Sequence, residues 1–459
     1  MKDSTIAAIA TYPAEAAIGL IRISGKDAFK AASDIFTLKK KPFKSLKPNY
    51  AALGYIHTGP EKIDEAMLVL FKGPRSYTGE DMAELSCHGS PYILEKVMHL
   101  LISKGCTPAG PGEFTKRAFL NGKMDLSEAE AVADLISAKN GPALKLALNQ
   151  LSGGESGLIK KLRRSLLQLL SLVEAGIDFA HEDIEKTAPQ KAAALAEKLL
   201  AKVAALAKNA DDGLMLKNGI KTVIAGKPNT GKSSLLNAML NKDRAIVTSA
   251  PGTTRDTVEG ALSSGGLYFR LIDTAGIRRA KNQAEKHGIK KARAALKSSD
   301  AAILVIDGSR KPDRADLAVY TALKSKKLVV AVNKSDLKAA VSPAEAAVFF
   351  RLKRATPVLC VSAKTKHGIK SLTNALKNII MDEKSGGFGG AVVSSLRHKK
   401  ELLSSAVALR AAVSSLKKGV FEEAAFDLKQ AAARLGAITG EISSEAVLDG
   451  IFKNFCIGK

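Results

Sequence analysis

The sequence predicts a multidomain protein that combines α/β domains with an all-α domain. The first observation is the length, because 459 residues correspond to about three domains of ordinary size. The second is that short apolar runs typical of strands occur in two separate parts of the chain, near its start and in its middle. The third is that two Ala- and Leu-rich segments with helical spacing flank the middle part.

The composition is that of an ordinary globular protein, with 46% hydrophobic and 25% charged residues, and it is unlike that of a disordered chain. The formal net charge of +25 is unusual, and a strongly basic surface attracts polyanions such as RNA. A lysine-rich proteome would give the same charge. The charge alone therefore leaves two alternatives, a nucleic-acid partner and a general compositional bias.

The cysteines indicate a reducing compartment, and the hydropathy pattern indicates neither a membrane span nor a signal peptide. Cys87, Cys106, Cys360 and Cys456 lie far apart without a CxxC or Cys/His pattern, so neither a disulfide framework nor a zinc site is predicted. No run approaches the ~20 apolar residues that span a bilayer, and the first residues lack the apolar run of a signal peptide. We therefore expect a cytoplasmic protein without a membrane part.

The N-terminal part, residues 1–122, is predicted to be a compact α/β domain. Strand-like runs occupy residues 6–10, 18–23 and 66–71, and a helical pattern covers residues 91–103.

Two helical segments, residues 123–216 and 381–459, are predicted to form one all-α domain. Each carries a stripe of apolar residues at spacings of three and four, the period of an amphipathic helix. The first stripe comprises Leu158, Leu162, Leu166, Leu169, Val173 and Ile177, in a helical region that runs to about residue 208. The second stripe follows a Gly-rich run at 385–390 and comprises Leu402, Ala406, Leu409, Val413 and Leu416. The part between them, residues 217–380, is expected to be inserted into this helical domain.

The inserted part alternates strand-like runs with helical stretches, which predicts a mostly parallel sheet with both faces covered. The runs are residues 222–225, 269–272, 302–306, 328–332 and 358–361.

A phosphate-binding loop follows the first of these runs. Gly226-Lys-Pro-Asn-Thr-Gly-Lys-Ser233 fits the pattern G-x-x-x-x-G-K-[ST] between a strand and a helix. Its glycines allow backbone N–H groups to surround phosphate, Lys232 supplies a positive charge, and the Ser233 hydroxyl can bind Mg²⁺. The residues expected to contact nucleotide here are Asn229, Thr230, Gly231, Lys232, Ser233 and Ser234.

Two further sequence elements are expected to contact the metal ion and the γ-phosphate. Gly252-Thr-Thr-Arg-Asp256 has the character of a switch segment, in which Thr254 completes the Mg²⁺ shell. Asp273-Thr-Ala-Gly276 ends the next strand and places Asp273 near the metal and the Gly276 N–H near the γ-phosphate, with Thr274 and Ala275 between them.

The last two elements select the base. In Asn333-Lys-Ser-Asp336 the Asp336 carboxylate can accept hydrogen bonds from the ring N–H and the amino group of guanine, while Lys334 and Ser335 complete the string. Adenine lacks that pair of donors and would leave a buried carboxylate unsatisfied, so ATP should be rejected. Ser362-Ala-Lys364 follows the final strand, and Ala363 and its neighbours offer backbone N–H groups to the base. The five ordered elements predict a P-loop GTPase domain with a Ras-like, doubly wound sheet that binds GTP.

The residue that orients the attacking water is not the Gln of common small GTPases. Ile277 follows Gly276, and an aliphatic side chain cannot orient water. The candidates are Glu285 for the water, Arg278 and Arg255 for charge, and a monovalent cation held by the Asn229 side-chain oxygen.

The whole chain resembles the MnmE (TrmE) family of tRNA-modification GTPases. The strings that carry the resemblance are Ile21-Arg-Ile-Ser-Gly25, Ser76-Tyr-Thr-Gly-Glu-Asp81, Pro111-Gly-Glu-Phe-Thr-Lys-Arg-Ala-Phe-Leu-Asn-Gly-Lys-Met-Asp-Leu126, Asn229-Thr-Gly-Lys-Ser-Ser234, Gly252-Thr-Thr-Arg-Asp256 and Phe455-Cys-Ile-Gly-Lys459. The resemblance implies a folate-binding, dimer-forming N-terminal domain and GTP hydrolysis that K⁺-dependent dimerisation accelerates. It also implies a heterotetramer with a flavoprotein of the MnmG (GidA) type, which adds a carboxymethylaminomethyl-type group to carbon 5 of the wobble uridine of certain tRNAs.

The resemblance assigns roles to particular residues. It places formyl- or methylene-tetrahydrofolate on Arg22, Glu84, Lys123 and Lys459, K⁺ on Asn229, Thr248, Ala250 and Thr253, and Mg²⁺ on Ser233 and Thr254. It makes Glu285 the residue that orients the water. The segment around the nucleotide then comprises Thr248, Ser249, Ala250, Pro251, Gly252, Thr253 and Thr254.

Two departures and one open role accompany the resemblance. Pro13-Ala-Glu-Ala-Ala17 stands where the family usually has a Gly-rich basic loop, and several members are acidic whereas this chain is basic. Cys456 matches the family's near-terminal cysteine, and a buried structural thiol and a functional thiol are equal alternatives.

Two competing functions share parts of the pattern. Ribosome-assembly GTPases of the Era or Der type carry the same nucleotide strings, but they add an RNA-binding KH module or a second GTPase domain, neither of which the sequence indicates. The other alternative is a folate-dependent one-carbon enzyme in which the GTPase is only regulatory.

Overall fold

The computed structural model describes residues 4–39, 42–178, 188–240, 260–264, 266–273, 296–381 and 393–459. The chain forms two compact units. The first contains Met1–Ser137, Ala147–Val203 and Glu401–Lys459, and the second contains Ala138–Leu146 and Ala204–Lys400.

The start of the first unit is a seven-stranded sheet with strand order β3-β4-β5-β6-β2-β1-β7. The strands are β1 Ile6–Ile9, β2 Ala16–Ser24, β3 Phe36–Leu38, β4 Ala51–Thr58, β5 Glu61–Phe71, β6 Met82–Gly89 and β7 Thr107–Pro108. Helices α1 (Ala28–Ser33) and α2 (Pro91–Ser103) cover one face with buried apolar side chains. The strands predicted at 6–10 and 18–23 and the helix at 91–103 are confirmed within two residues, and the strand predicted at 66–71 is confirmed but begins five residues earlier, at Glu61.

The other face of this sheet keeps apolar side chains in contact with solvent. Because side chains alternate between the faces of a strand, Ile18, Leu53 and Met67 point away from α1 and α2. All three are exposed.

The first helical segment follows the sheet. Its helices are α3 Glu113–Leu120, α4 Leu126–Ser137, α5 Gly141–Leu151, α6 Gly154–Asp178 and α7 Ala188–Asn218. The predicted stripe lies on α6, where Leu162, Leu166, Leu169 and Val173 are buried. Leu158 and Ile177, at the two ends of the predicted stripe, are only half-buried. At the start of the helix the neighbouring Ile159 is buried in place of Leu158, because the apolar face is shifted there by one residue. The helical region predicted to stop near 208 extends ten residues further, to Asn218.

The second unit contains a six-stranded sheet with strand order β13-β12-β11-β8-β10-β9. Its strands are β8 Ile220–Ala225, β9 Gly260–Ser264, β10 Leu267–Asp273, β11 Ala301–Asp307, β12 Lys327–Asn333 and β13 Val358–Cys360, and its helices are α8 Lys232–Leu240, α9 Arg314–Leu323, α10 Pro343–Phe349 and α11 Ile369–Ile380. Five strands are parallel and β9 is antiparallel to β10. One face packs against α8 and α11 and the other against α9 and α10, which confirms the predicted doubly wound sheet.

The central strand β8 has β10 on one side and β11 on the other. The chain therefore turns in opposite directions from β8, and ligands bind such sheets at the carboxyl ends of the strands near that point.

The second helical segment comprises α12 Leu396–Lys418, α13 Phe421–Thr439 and α14 Glu445–Phe452. All five residues of its predicted stripe are buried. Within the first unit α13 packs against α6, so the two segments that lie on either side of the inserted part in the sequence meet in space. The Gly-rich run at 385–390 lies outside the described residues.

Among the helices of the described ranges, none is long and apolar enough to cross a membrane.

Candidate functional site

The phosphate loop joins β8 to α8, which begins at Lys232. A Cβ atom on Gly226 would lie 2.2 Å from the Val305 carbonyl oxygen, so only glycine allows the loop to pass this close to β11. Gly231 has a φ of 88°, which also favours glycine. The sequence pattern therefore corresponds to real steric requirements of the backbone.

Polar groups close this loop on itself. Lys232 is buried, and its Nζ donates to the Lys227 carbonyl oxygen at 2.6 Å. The Thr230 hydroxyl donates to the same oxygen at 3.0 Å. Asn229 has the left-handed φ of 63° that asparagine tolerates, and Ser234 is exposed on the first turn of α8.

The two predicted metal-side residues of the described part lie together. The Ser233 hydroxyl donates to Asp273 Oδ2 at 2.6 Å, and Asp273 is buried at the end of β10. A hydroxyl and a carboxylate oxygen are the hard ligands that Mg²⁺ accepts beside phosphate. The donor set therefore fits this ion.

Asn333 connects the phosphate loop to the base-recognition strings. Its Nδ2 donates to the Thr230 carbonyl oxygen at 2.8 Å, and its Oδ1 accepts from the Ala363 N–H at 3.1 Å. The side chain is buried. Three strings that are distant in sequence are thus held at one edge of the sheet.

Asp336 and Ser362 form the base edge. The Ser362 hydroxyl donates to Asp336 Oδ1 at 2.5 Å, and the Ser335 N–H donates to the Val361 carbonyl oxygen at 3.1 Å. The Ser362 hydrogen bond, with the charges of Lys364 and Lys334, lowers the pKa of Asp336. The carboxylate is therefore ionised at neutral pH and is ready to accept hydrogen bonds.

The expectation that the Asp336 carboxylate is buried needs a correction, because Asp336 is exposed in the protein itself. It lies on a turn beyond β12, where only a bound base would cover it. The penalty for an unsatisfied carboxylate then applies to the complex with a base and not to the chain alone.

Lys334 makes a contact that the sequence did not indicate. It has a left-handed φ of 67°, and its Nζ lies 2.7 Å from Asp307 Oδ2 at the end of β11. An acidic residue directly after a buried strand was the available signal for Asp307.

The predicted residues from 248 to 254 and from 274 to 285 lie outside the described residues. They are Thr248, Ser249, Ala250, Pro251, Gly252, Thr253, Thr254, Thr274, Ala275, Gly276 and Glu285.

A second cluster lies in the first unit, where the chain end meets the N-terminal sheet. Arg22 on β2 faces Glu84 on β6, with Nη2 and Oε1 2.7 Å apart, and its Nη1 donates to the Gly458 carbonyl oxygen at 3.1 Å. The guanidinium lies over the rings of Tyr77 and Phe114 at 5.5 and 5.7 Å.

Lys459 belongs to the same cluster. Burial, and then the charge of Arg22, lower the pKa of Lys459, whereas Glu84 and Cys456 act in the opposite direction. Cys456 is exposed, so the alternative of a buried structural thiol is wrong.

Lys123 shows no such connection to Arg22, Glu84 or Lys459 among the contacts of the described residues. Its Nζ donates to the Pro74 carbonyl oxygen at 2.9 Å, on the segment that also carries Tyr77. Three of the four predicted folate residues are thus brought together, and Lys123 lies beside the segment next to them.

Residues 13–17, where the sequence departs from the family, are exposed at the start of β2.

A buried arginine that sequence reasoning missed supports this cluster. Arg117 on α3 contacts Glu80 Oε2 at 3.1 Å and Glu113 Oε1 at 3.0 Å. The Ser24 hydroxyl donates to Glu80 at 2.7 Å. Ser24, Glu80 and Arg117 come from three different strings of the family pattern, so that pattern was the signal for their contact.

Known proteins match this chain over nearly its whole length. Residues 126–456 match the MnmE helical domain, and residues 5–123 match the GTP-binding protein TrmE N-terminus. The tRNA modification GTPase MnmE of Clostridioides difficile (strain 630) is 40% identical over 459 residues, which cover 100% of this chain and 99% of that protein. The protein of the same name from Aquifex aeolicus (strain VF5) is 40% identical over 457 residues, which cover 99% of each.

Among solved structures, the G domain of the T. maritima FeoB iron transporter is 26% identical and covers 35% of this chain and 98% of its own length. Its TM-score of 0.27 is too low to support an inference about this chain. The two domain matches and the full-length relatives show that the chain belongs to the family of tRNA modification GTPases named MnmE.

Proposed function

We propose that this protein hydrolyses GTP and, with a flavoprotein of the MnmG (GidA) type in a heterotetramer, modifies the wobble uridine of certain tRNAs. The added group is of the carboxymethylaminomethyl type at carbon 5, and a folate supplies the one-carbon unit. The observation that carries the GTPase part is the buried Asn333, which joins the phosphate loop to the base-recognition strings. Family membership carries the tRNA part.

The described side chains divide the work of binding. Backbone N–H groups of residues 229–233 surround the phosphates, and Lys232 Nζ moves from the Lys227 carbonyl oxygen to a phosphate oxygen. Ser233 and Thr254 would hold Mg²⁺ with Asp273 near it, and the ion would supply positive charge to the phosphate oxygens. Asp336 accepts from guanine, and Ser362 orients the carboxylate. We assign to Glu285 the orientation of the attacking water.

The domain division that we propose is an N-terminal folate-binding domain at 1–122, helical parts at 123–216 and 381–459, and a GTPase domain at 217–380. We also propose cytoplasmic localisation. The family matches at 5–123 and 126–456 support a boundary near residue 123.

The test of the proposed function is mass spectrometry of tRNA nucleosides from cells that lack this chain, with ribosome profiles measured in parallel. We expect the wobble modification to disappear and the profiles to stay normal. Normal tRNA with defective ribosomal subunits would instead establish the assembly function of Era or Der type, which family membership disfavours. Loss of folate chemistry without any tRNA defect would favour the one-carbon enzyme.

Potassium dependence is the first prediction. Asn229 lies exposed in the phosphate loop with a left-handed φ, and we propose that it binds K⁺ with Thr248, Ala250 and Thr253. A cation there stabilises the charge that develops during hydrolysis and joins two GTPase domains. Replacing K⁺ with Na⁺ should therefore lower the hydrolysis rate and the dimerisation of these domains together, as measured by phosphate release and by fluorescence energy transfer between labelled GTPase domains. Equal rates in both salts would remove Asn229 from the mechanism.

Folate binding is the second prediction. A reduced folate combines a flat ring that bears N–H donors with a carboxylate tail. Glu84 can accept from the N–H donors of the ring, and Arg22, 2.7 Å from Glu84, can donate to acceptor atoms of the same ring, with Lys459 beside them. Arg22→Ala should weaken the binding of formyl-tetrahydrofolate by about tenfold or more, measured by equilibrium dialysis, because a charged hydrogen-bond donor is lost.

Lys104→Ala is the control, since Lys104 is an exposed lysine that follows α2 and has no assigned role. Unchanged folate affinity in Arg22→Ala would refute the assignment of this cluster.

The homodimer is supported by the open face of the N-terminal sheet. Ile18, Leu53 and Met67 are apolar and exposed there, and a second copy of the chain would cover them. We expect Met67→Glu to sediment as a monomer under conditions in which the unaltered protein is a dimer. A variant that is still a dimer would show that this face is not the dimer interface.

A further inference from the structure

Lys227 belongs to the phosphate loop but its side chain points away from the nucleotide site. Its Nζ lies 2.7 Å from Asp313 Oδ2 and 2.9 Å from Asp316 Oδ2. The Lys227 side chain is 27% exposed and that of Asp316 is 4% exposed. The pair with Asp316 is therefore partly shielded from water, whereas the side chain of Asp313 is 59% exposed and its pair with Lys227 is an ordinary surface pair.

The two carboxylates are fixed by the start of α9. Asp313 is the N-cap, and its Oδ1 accepts from the Ala315 and Asp316 N–H groups. Asp316 Oδ2 accepts from the Asp313 N–H at 3.0 Å, in addition to its contact with Lys227. This reciprocal capping orients both carboxylates independently of their contact with Lys227.

Both partners carry their charges at neutral pH. The hydrogen bond to Asp313 and that to Asp316 raise the pKa of Lys227. The same Lys227 contact, with the N–H groups of α9, lowers the pKa of Asp313. The contact between the loop and α9 is therefore a true ion pair.

The backbone of Lys227 faces the opposite way, into the loop. Its carbonyl oxygen accepts from Lys232 Nζ and from the Thr230 hydroxyl. The Thr230 carbonyl oxygen in turn accepts from Asn333. The loop is thus tied at two points, through Lys227 to α9 and through Thr230 to the end of β12.

We propose that Lys227 is a positioning residue of the GTPase, whose ion pair with Asp313 and Asp316 holds the phosphate loop in its nucleotide-binding shape. The inference rests on the proposed nucleotide site. A loop that is already ordered loses less conformational entropy when phosphate binds, so the ion pair strengthens nucleotide binding without touching the ligand.

The opposite role for Lys227 makes an opposite prediction. If Lys227 served as a direct phosphate ligand, Asp313 and Asp316 would compete for it, and removing their charges would tighten nucleotide binding. If Lys227 positions the loop, removing the same charges loosens binding.

The experiment measures the release rate of a fluorescent GDP analogue from the full-length protein by stopped flow. We expect Lys227→Ala and the double variant Asp313→Asn with Asp316→Asn each to release the analogue about fivefold faster, the scale of one partly shielded ion pair. Asp313→Asn keeps a good N-cap, and in Asp316→Asn the amide oxygen can still accept from the residue-313 N–H, so the double variant keeps the start of α9. Lys227→Arg should restore slow release, because its guanidinium can contact both carboxylates.

Lys353→Ala is the matched control, since it removes an exposed lysine of the same unit. Thermal unfolding by circular dichroism separates faster nucleotide release from general destabilisation. If Lys227→Ala does not fold, Lys227→Met replaces it, because methionine keeps the aliphatic part of the side chain. Steady-state kinetics should show a raised KM with kcat nearly unchanged.

Release at the original rate in Lys227→Ala and Lys227→Met, or slower release in the double acid variant, would overturn the proposal. If the unaltered protein binds no guanine nucleotide at all, the proposed nucleotide site is refuted, and the proposed role of Lys227 is refuted as well.

Discussion

Replacing Asp336 with Asn is expected to weaken GTP binding by about two to three orders of magnitude, because two hydrogen bonds to an ionised acceptor are lost. The Asp336 carboxylate accepts from Ser362 through Oδ1 and is held in its charged form by that bond and by nearby lysines. An amide keeps the size of the side chain but replaces one acceptor with an N–H donor. That donor would face the donors of guanine.

The same geometry predicts which base the variant prefers. Xanthine has a carbonyl where guanine has its amino group, and a carbonyl accepts from the amide of Asn. Asp336→Asn should therefore bind xanthosine triphosphate more tightly than GTP, as measured by competition against a fluorescent nucleotide. The unaltered protein should show the reverse order.

The control for this variant is Asp34→Asn, which removes an exposed carboxylate at the end of α1 and should leave both affinities unchanged. A preference for guanine that survives in Asp336→Asn would show that another group reads the base.

The sequence predicted well those parts of the structure that depend on residues close together in the chain. The phosphate loop could be located because its glycines answer a local need, as the approach of Gly226 to the Val305 carbonyl shows. The strands and α2 could be located because the alternation of apolar residues reflects which face is buried. The buried face of α6 differs from the prediction by one residue at Leu158. The periodicity of apolar residues predicts that a buried face exists, but it predicts the first and last residues of that face less well.

The parts that the sequence did not reveal are pairs made by tertiary structure. Lys227 and Asp313 are 86 positions apart, and in the sequence each looks like a solvated surface charge. Their contact depends on how the loop after β11 carries the start of α9 to the phosphate loop, which no local pattern encodes. The same reason explains the contact of Lys334 with Asp307 and the hydrogen bond of the Lys123 amino group to Pro74. The family resemblance, and not a local pattern, groups Lys123 with Arg22.

Arg117 leads to the second large effect. Its side chain is 8% exposed and contacts Glu80 and Glu113, whose side chains are 20% and 24% exposed. Its guanidinium also donates to the Ser4 carbonyl oxygen at 2.8 Å. The residue therefore ties α3 to the segment before β6 and to the segment before β1. The first two carry Phe114 and Tyr77, whose rings lie against the Arg22 guanidinium.

Arg117→Met is expected to lower the free energy of local opening in this region by about 2–4 kcal/mol, because breaking a buried pair leaves two carboxylates without their counter-charge. Methionine fills much of the same volume, so the effect comes from charge and hydrogen bonding more than from a cavity. Hydrogen exchange with mass spectrometry measures the local value in peptides that cover residues 74–81 and 113–121. A local readout is needed because a chain of several domains does not unfold in one step.

Two comparisons decide whether the arginine acts as described. Lys104→Ala removes an exposed positive charge from the same domain and should leave exchange unchanged. Arg117→Lys keeps the charge but not the planar fork that contacts two carboxylates and a carbonyl, so it should recover only part of the protection. Since residues 74–81 carry Tyr77, which lies against Arg22, faster exchange there should be accompanied by weaker binding of formyl-tetrahydrofolate. Exchange that stays slow in Arg117→Met would mean that packing of Phe114 and its neighbours, rather than the ion pairs of Arg117, holds α3 against the sheet.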